Sequence, residues 1–139
     1  MPLEEPSPRT LRWLEAARAD LERLRQDDER LARRALAQIR LIETGRLDGR
    51  PLQDLALYGD LSDCRKMYFG AEQGHNTHRT SCHGHLELIE IVALEQRQDG
   101  YVYLLAANRL ERLPAETRPK FNRVHQAAIA ARSALRRRH

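Results

Sequence analysis

The stretch IEIVALEQRQDGYVYLLAANRL, residues 89–110, contains a strand, a turn and a helix in one uninterrupted run. Its first part is almost continuously apolar, which is typical of a central strand covered on both faces. Asp99-Gly100 is then a turn signal. Apolar residues beyond the turn recur at helical spacing, at Val102, Leu105, Ala106 and Leu110. The stretch therefore predicts a central strand over 86–96 that turns directly into a helix.

Two shorter strands are predicted before it, over 64–69 and 78–83. In the first of them, a lysine and a tyrosine alternate with two large hydrophobic residues. Successive side chains of a strand point to opposite faces of the sheet. We therefore expect Met67 and Phe69 to enter a core, while Lys66 and Tyr68 share the outward face.

Two helices are predicted to precede the strands and to pair as an antiparallel hairpin. The first starts near Leu11, where a helical stripe of apolar residues begins, and Ser7 suits its N-cap. Asp27 and Asp28 interrupt this stripe and suit a cap for the second helix, which ends near Gly45. The apolar face of the second helix consists of Leu31, Ala35, Leu36, Ile39 and Ile42.

The predicted order of elements is α-α-β-β-β-α, with a turn-rich loop over 46–62 and a final basic helix over 119–138. This order is typical of an α+β fold in which an N-terminal helical hairpin packs on a small antiparallel β-sheet, with C-terminal helices. We expect a single domain over 1–139 with a C-terminal helical extension at about 115–139.

The composition is that of a globular protein with a modestly basic surface. The chain has 139 residues, a formal net charge of +4, twenty-two arginines and two lysines. Such a balance permits a nucleic acid or an acidic partner. Because no apolar run approaches a membrane span and the N-terminus lacks a signal pattern, we expect a cytoplasmic protein that binds no membrane. Cys64 and Cys82 are expected to be buried thiols.

Cationic, phenolic and imidazole side chains accumulate on the predicted strands and just after the turn. They are Arg65, Lys66, Tyr68, His78, Arg79, His83, Arg97 and Tyr103. If the strands pair in order, their ends gather one lysine, two arginines and Tyr103 around a concave patch. Cations and phenols without a carboxylate pair suit a phosphodiester, because cations neutralise the charge that builds on the phosphoryl oxygens.

Three segments resemble the RelE/ParE superfamily of toxins from type II toxin–antitoxin systems, namely DCRKMYF at 63–69, HR at 78–79 and the 89–110 stretch. The likeness spans about residues 50–112 and is strongest to the RelE branch of ribosome-dependent mRNA endonucleases. Its most specific part is a hydrophobic strand that ends at Arg97, with Tyr103 following in a helix that ends in Arg109-Leu110.

The chain also departs from the family pattern. Tyr68 stands where the family has a second lysine, and His78 stands where it has a tyrosine. The family opens with a strand before the helical hairpin, and this N-terminus has no obvious strand.

The resemblance implies metal-independent cleavage of mRNA in the ribosomal A site, without a cofactor. The 2′-hydroxyl of the RNA would attack the adjacent phosphate, with Lys66 or a nearby histidine assisting its deprotonation. Arg79 and Arg97 would stabilise the charge of the phosphorane-like state, and Tyr103 would protonate the leaving oxygen. The residues expected to contact the RNA are Arg65, Tyr68, His78 and His83. The implied partners are a cognate antitoxin, which can form an oligomer with the toxin, together with mRNA and the ribosome.

Three other functions remain open from the sequence. The ParE branch shares the fold but inhibits DNA gyrase without cutting RNA. A non-catalytic interaction module would keep the fold and lose the activity, in keeping with the missing second lysine. A zinc site is suggested by the group His75, His78, Cys82, His83 and His85, but strict finger spacing is absent, and we predict no metal site.

Overall fold

A mixed sheet with helices on both faces makes up the described part of the chain. The computed structural model describes residues 8–52, 56–69, 78–85, 88–96 and 100–137. Its strands are β1 (Thr10–Trp13), β2 (Arg50–Pro51), β3 (Cys64–Phe69), β4 (His78–His85) and β5 (Leu88–Gln96). Its helices are α1 (Glu15–Asp27), α2 (Glu29–Glu43), α3 (Tyr101–Arg109) and α4 (Arg118–Arg137). None of the helices in these ranges is both long and apolar enough to cross a membrane.

The sheet has the strand order β1-β5-β4-β3-β2 in the described residues. The strands from β2 to β5 pair antiparallel in succession, whereas β1 pairs parallel with β5. The three predicted strands, the helix after the turn and the final basic helix are confirmed, and so is the α+β class. The antiparallel pairing of the three predicted strands is confirmed, and β1, which the sequence did not predict, adds a parallel strand beside β5.

The N-terminal segment is the main departure from the sequence prediction. Residues near Leu11 form β1 instead of a helix, and α1 begins only at Glu15. Leu11 and Trp13 pack under the helical hairpin, while Arg12 between them is exposed beside Glu90. This two-residue period fits a strand, and pairing with β5 satisfies backbone groups that an open sheet edge would leave unpaired. Ser7, the predicted N-cap, lies outside the described residues.

The helical hairpin covers one face of the sheet, as predicted. Asp28 caps α2, since its side chain accepts a hydrogen bond from the Leu31 backbone N–H at 3.1 Å. Leu36 is an exception to the predicted apolar face, because it is 46% exposed. The buried residues of this hairpin core are Ala17, Leu24, Ala32, Ala35, Ile39, Ile42, Met67, Phe69, Ile89, Ile91 and Leu94. Burial of Met67 and Phe69 is therefore confirmed.

The opposite face of the sheet packs against α3 and α4. An irregularity in β5 lets this strand serve both cores: Ser81 pairs with Ala93 and Cys82 with Ile91, so Val92 has no partner on β4. Val92 and Ala93 consequently both join the α3 core. Such bulges bend a strand and redirect its side chains. Cys64 is buried in the same core as a reduced thiol, as predicted, while the side chain of Cys82 lies outside the described residues.

A buried ion pair ties together the two layers at this bulge. Asp20 of α1 is 1% exposed and accepts hydrogen bonds from Arg109 Nη1 at 2.6 Å and Nη2 at 2.9 Å. The same carboxylate accepts the backbone N–H of Leu94 at 3.0 Å, and Arg109 donates to the carbonyl of Val92 at 2.9 Å. Pairing with β1 has ended at this point, so these two side chains satisfy backbone groups that no strand reaches. Asp20 and Arg109 therefore join α1, β5 and α3.

We expect Asp20→Asn to lower the free energy of unfolding by about 3–5 kcal/mol, because it leaves the Arg109 guanidinium buried without its counter-charge. The measurement is urea unfolding followed by circular dichroism. The matched control is Glu22→Gln on the same helix, which breaks an exposed pair with Arg25 and should leave the unfolding midpoint nearly unchanged. Equal midpoints for the two variants would contradict the role assigned to Asp20.

Candidate functional site

The outward face of β3 presents Lys66 and Tyr68, as predicted. Tyr68 is 37% exposed, and Lys66 is half-buried with its Nζ 6.0 Å from the centroid of the Tyr68 ring. The aromatic face thus lies within the range of a cation–π contact with the ammonium. The two residues form a small cationic and phenolic surface on the α3 side of the sheet, beside buried Cys64.

Arg65 lies on the other face of β3. Strand alternation places it with Met67 and Phe69, where it is exposed at the rim of the hairpin core. Its charge reaches Asp48, whose pKa is lowered first by a hydrogen bond from Arg9 and more weakly by the charge of Arg65. The structure therefore does not bring Arg65 together with Lys66 and Tyr68.

The backbone of β4 places Arg79 in the same row as Tyr68. Arg79 pairs with Tyr68 on one side and with Glu95 on the other, and Ser81 pairs with Lys66. His78 pairs with Phe69, and His83 pairs with Cys64. Directly paired residues of antiparallel strands belong to the same face of the sheet. The register therefore brings Arg79 to the surface formed by Lys66 and Tyr68, and Arg97 lies outside the described residues.

Tyr103 lies in the α3 core, and only 8% of it is exposed. Its ring contacts that of Tyr58 with centroids 5.6 Å apart at an angle of 52°. Gly100 makes this arrangement possible, because it has a φ of 73° and a Cβ added to it would lie 2.2 Å from the Tyr58 hydroxyl oxygen. Tyr58 and the Gly100 turn thus hold the start of α3 in place.

A buried carboxylate, Glu95, continues the row of Tyr68 and Arg79. It is 2% exposed and forms an ion pair with Arg132 of α4. A buried carboxylate needs such a partner because burial without a counter-charge is costly. Only cations and phenols were expected here from the sequence, although Glu95 directly follows the apolar run Ile91–Leu94 and could have indicated a buried carboxylate.

Tyr101 and His125 connect α3 to α4 beside Glu95. The Tyr101 hydroxyl lies 2.8 Å from His125 Nδ1. Burial, and then the negative charge of Glu95, raise the pKa of Tyr101 to about 12. Tyr101 is therefore a protonated hydrogen-bonding group at neutral pH and not a base.

No group of three or more metal-binding side chains occurs among the residues for which side chains are described. The zinc alternative lies outside the described residues. It involved His75 and the side chains of His78, Cys82, His83 and His85.

The fold is similar to that of a solved structure of the E. coli toxin RelE, a double mutant in the free state. The TM-score is 0.54 at 14% sequence identity, and the match covers 74% of this chain and 98% of that one. The chain therefore has a RelE-like fold. No protein-family model matches the chain, and no curated protein matches its sequence.

The pKa of Tyr101 has a consequence for stability at high pH. The folded-state pKa of about 12 exceeds the unfolded value of about 10. The protonated Tyr101 hydroxyl therefore stabilises the folded state fully below pH 10, and this contribution is lost as the pH rises towards 12. We expect the free energy of unfolding to fall less steeply over this range in Tyr101→Phe than in the wild type. Urea unfolding at several pH values measures both slopes, and identical slopes would exclude the raised pKa.

Proposed function

We propose that this protein is the toxin of a type II toxin–antitoxin system and that it cleaves mRNA on the ribosome. The observation that carries this proposal is the surface formed by Lys66, Tyr68 and the register position of Arg79, on a RelE-like fold. A cation and a phenol on an accessible sheet face suit the phosphate backbone of RNA, because cations neutralise its charge and phenols donate hydrogen bonds to it.

The proposed reaction uses the RNA's own 2′-hydroxyl as the nucleophile. Its oxygen forms a bond to the adjacent phosphorus, the bond from phosphorus to the 5′-oxygen breaks, and a 2′,3′-cyclic phosphate results. Lys66 or a nearby histidine assists the loss of the 2′-hydroxyl proton to solvent, and Arg79 and Arg97 stabilise the additional charge on the phosphoryl oxygens. A phenol donates the proton that the departing 5′-oxygen takes up.

Two phenols are candidates for that proton donor. The resemblance to RelE-like toxins assigns this role to Tyr103, but its ring is largely buried against Tyr58. Tyr68 is exposed and lies beside Lys66 on the same strand face. Only 8% of Tyr103 is exposed, so its hydroxyl would have to reach the RNA through a small opening, whereas Tyr68 already lies on the open surface.

The ribosome and an antitoxin are the proposed partners in the cytoplasm. A site with so few groups depends on a partner that positions the RNA, which reduces the entropic cost of aligning the 2′-oxygen with the phosphorus. An antitoxin must silence such an enzyme in the cell that makes it, and an acidic segment that covers Lys66 and Arg79 would do so electrostatically.

The two lysines of the chain supply a matched test. We expect Lys66→Ala to reduce cleavage by about a hundredfold, as for loss of a group that transfers a proton, whereas Lys120→Ala on α4 should leave it unchanged. Arg97→Ala should reduce cleavage by a similar factor through loss of charge stabilisation. The assay is primer extension on an mRNA held by purified ribosomes. Wild-type protein that leaves mRNA intact but inhibits gyrase would move the function to the ParE branch.

A second pair of variants identifies the proton donor. Tyr68→Phe and Tyr103→Phe each remove one hydroxyl and keep the ring, so the core around Tyr58 stays filled. We expect the variant of the true donor to cut the same mRNA about a hundredfold more slowly and the other to cut nearly as fast as wild type. Unchanged rates in both variants would show that neither Tyr68 nor Tyr103 protonates the leaving oxygen.

A further inference from the structure

A basic groove lies between α1, α3 and α4, beyond Glu95 at the end of the row that begins with Tyr68 and Arg79. Its volume is about 340 Å³, and it is lined by three arginines together with Tyr101, His125, Ile129 and Ser133. The groove lies beside β5, and β3 is two strands away, which corresponds to about 10 Å. Its volume is at the lower end of the range for small-molecule sites, which begins at about 300 Å³.

Among the described residues, the guanidinium groups of the groove outnumber the carboxylates that directly bind them. Asp20 is shared between Arg23 and Arg109, while Glu95 pairs with Arg132. A second acid, Asp27, lies 3.9 Å from Arg132 Nε but is 38% exposed, so solvent screens its charge. The sharing of Asp20 leaves the wall formed by Arg23 and Arg109 with one positive charge in excess.

Arg23 contributes an unused donor to this wall. Its Nη2 binds Asp20, but its Nε is buried and has no hydrogen-bond partner in the described part of the chain. Buried donors without a partner are rare, because they lose their bond to water and gain none in return. The Arg23 side chain as a whole is 35% exposed, so a rotation that turns Nε towards the groove would let a bound oxyanion supply the missing acceptor.

The rest of the groove has a polar and an apolar part. Ser133 is exposed at the rim, and His125 uses Nδ1 to contact the Tyr101 hydroxyl. The His125 ring stacks on Phe121 with centroids 5.2 Å apart and an angle of 11°. Ile129 is 44% exposed and gives the groove an apolar surface. A ligand that carries an anionic group and a flat apolar part matches this division.

We propose that the groove binds the phosphate group of a nucleotide, with the base against His125 and Ile129. The donors come from three helices and approach from different directions: Arg23 from α1, Arg109 from α3 and Arg132 from α4. A tetrahedral phosphate accepts hydrogen bonds from several directions, whereas a carboxylate presents two oxygens in one plane. This geometry favours a phosphate over an acidic side chain. The proposal does not rest on mRNA cleavage, because binding is measured on the protein alone.

The test is isothermal titration calorimetry with adenosine monophosphate, inorganic phosphate and adenosine. We expect the monophosphate to bind, phosphate to bind more weakly and adenosine not to bind. Arg23→Gln should weaken monophosphate binding about tenfold or more through loss of a charged donor. The matched control is Arg34→Gln, an equal change of charge on the exposed face of α2, which should bind like the wild type.

A second variant keeps the proposal testable if Arg23→Gln fails to fold. Ser133→Glu places a negative charge at the exposed rim of the groove and should also weaken binding about tenfold or more. Monophosphate binding that survives unchanged in both groove variants would overturn the proposal, as would equally tight binding of glutamate. Displacement of the monophosphate by a short oligoadenylate would indicate that the groove binds a phosphate of RNA. Failure to displace it would indicate that the groove binds a free nucleotide.

Discussion

The contact between Asp20 and Arg109 sets the arrangement of the two layers that cover the sheet. Asp20 projects from the helical hairpin, and Arg109 projects from the last turn of α3. Between them, they bind the carbonyl of Val92 and the N–H of Leu94 at the edge that β1 leaves unpaired. A carboxylate buried at this depth is tolerated only because the guanidinium and the backbone N–H both reach it. The bulge, the two cores and the groove all meet at this contact.

Glu95 plays a corresponding role farther along β5. It is buried on the α3 side of the sheet, and Arg132 of α4 balances its charge. Tyr101 and His125 add a second link between α3 and α4. The C-terminal helix is therefore held against the sheet by polar contacts as well as by Phe121 and Ala128 in the core. Such contacts require a fixed geometry, so they place α4 more specifically than apolar packing alone would.

In the described part of the chain, two surfaces present groups that could bind a ligand, and they are formed in different ways. The surface on β3 and β4 is built by strand alternation and register, which bring Lys66, Tyr68 and Arg79 into neighbouring positions of one sheet face. The groove beside β5 is built by side chains from three helices. The first surface suits an extended polymer that runs across a sheet, and the second suits one anionic group that enters a pocket.

The local period of apolar residues predicted β3, β4 and β5, most of the helices and the alternation that buries Met67 and Phe69. It also pointed to Lys66 and Tyr68 as an outward pair. The strand at Leu11 depends on tertiary structure. Its short apolar pattern fits either a helix or a strand, and backbone pairing with the edge of β5 selects the strand. Asp20 lies on the apolar stripe between Ala17 and Leu24, and this position was a signal that the sequence analysis missed. The partners of Asp20 and Glu95 are distant in the chain, so only the folded structure could bring Arg109 and Arg132 to them.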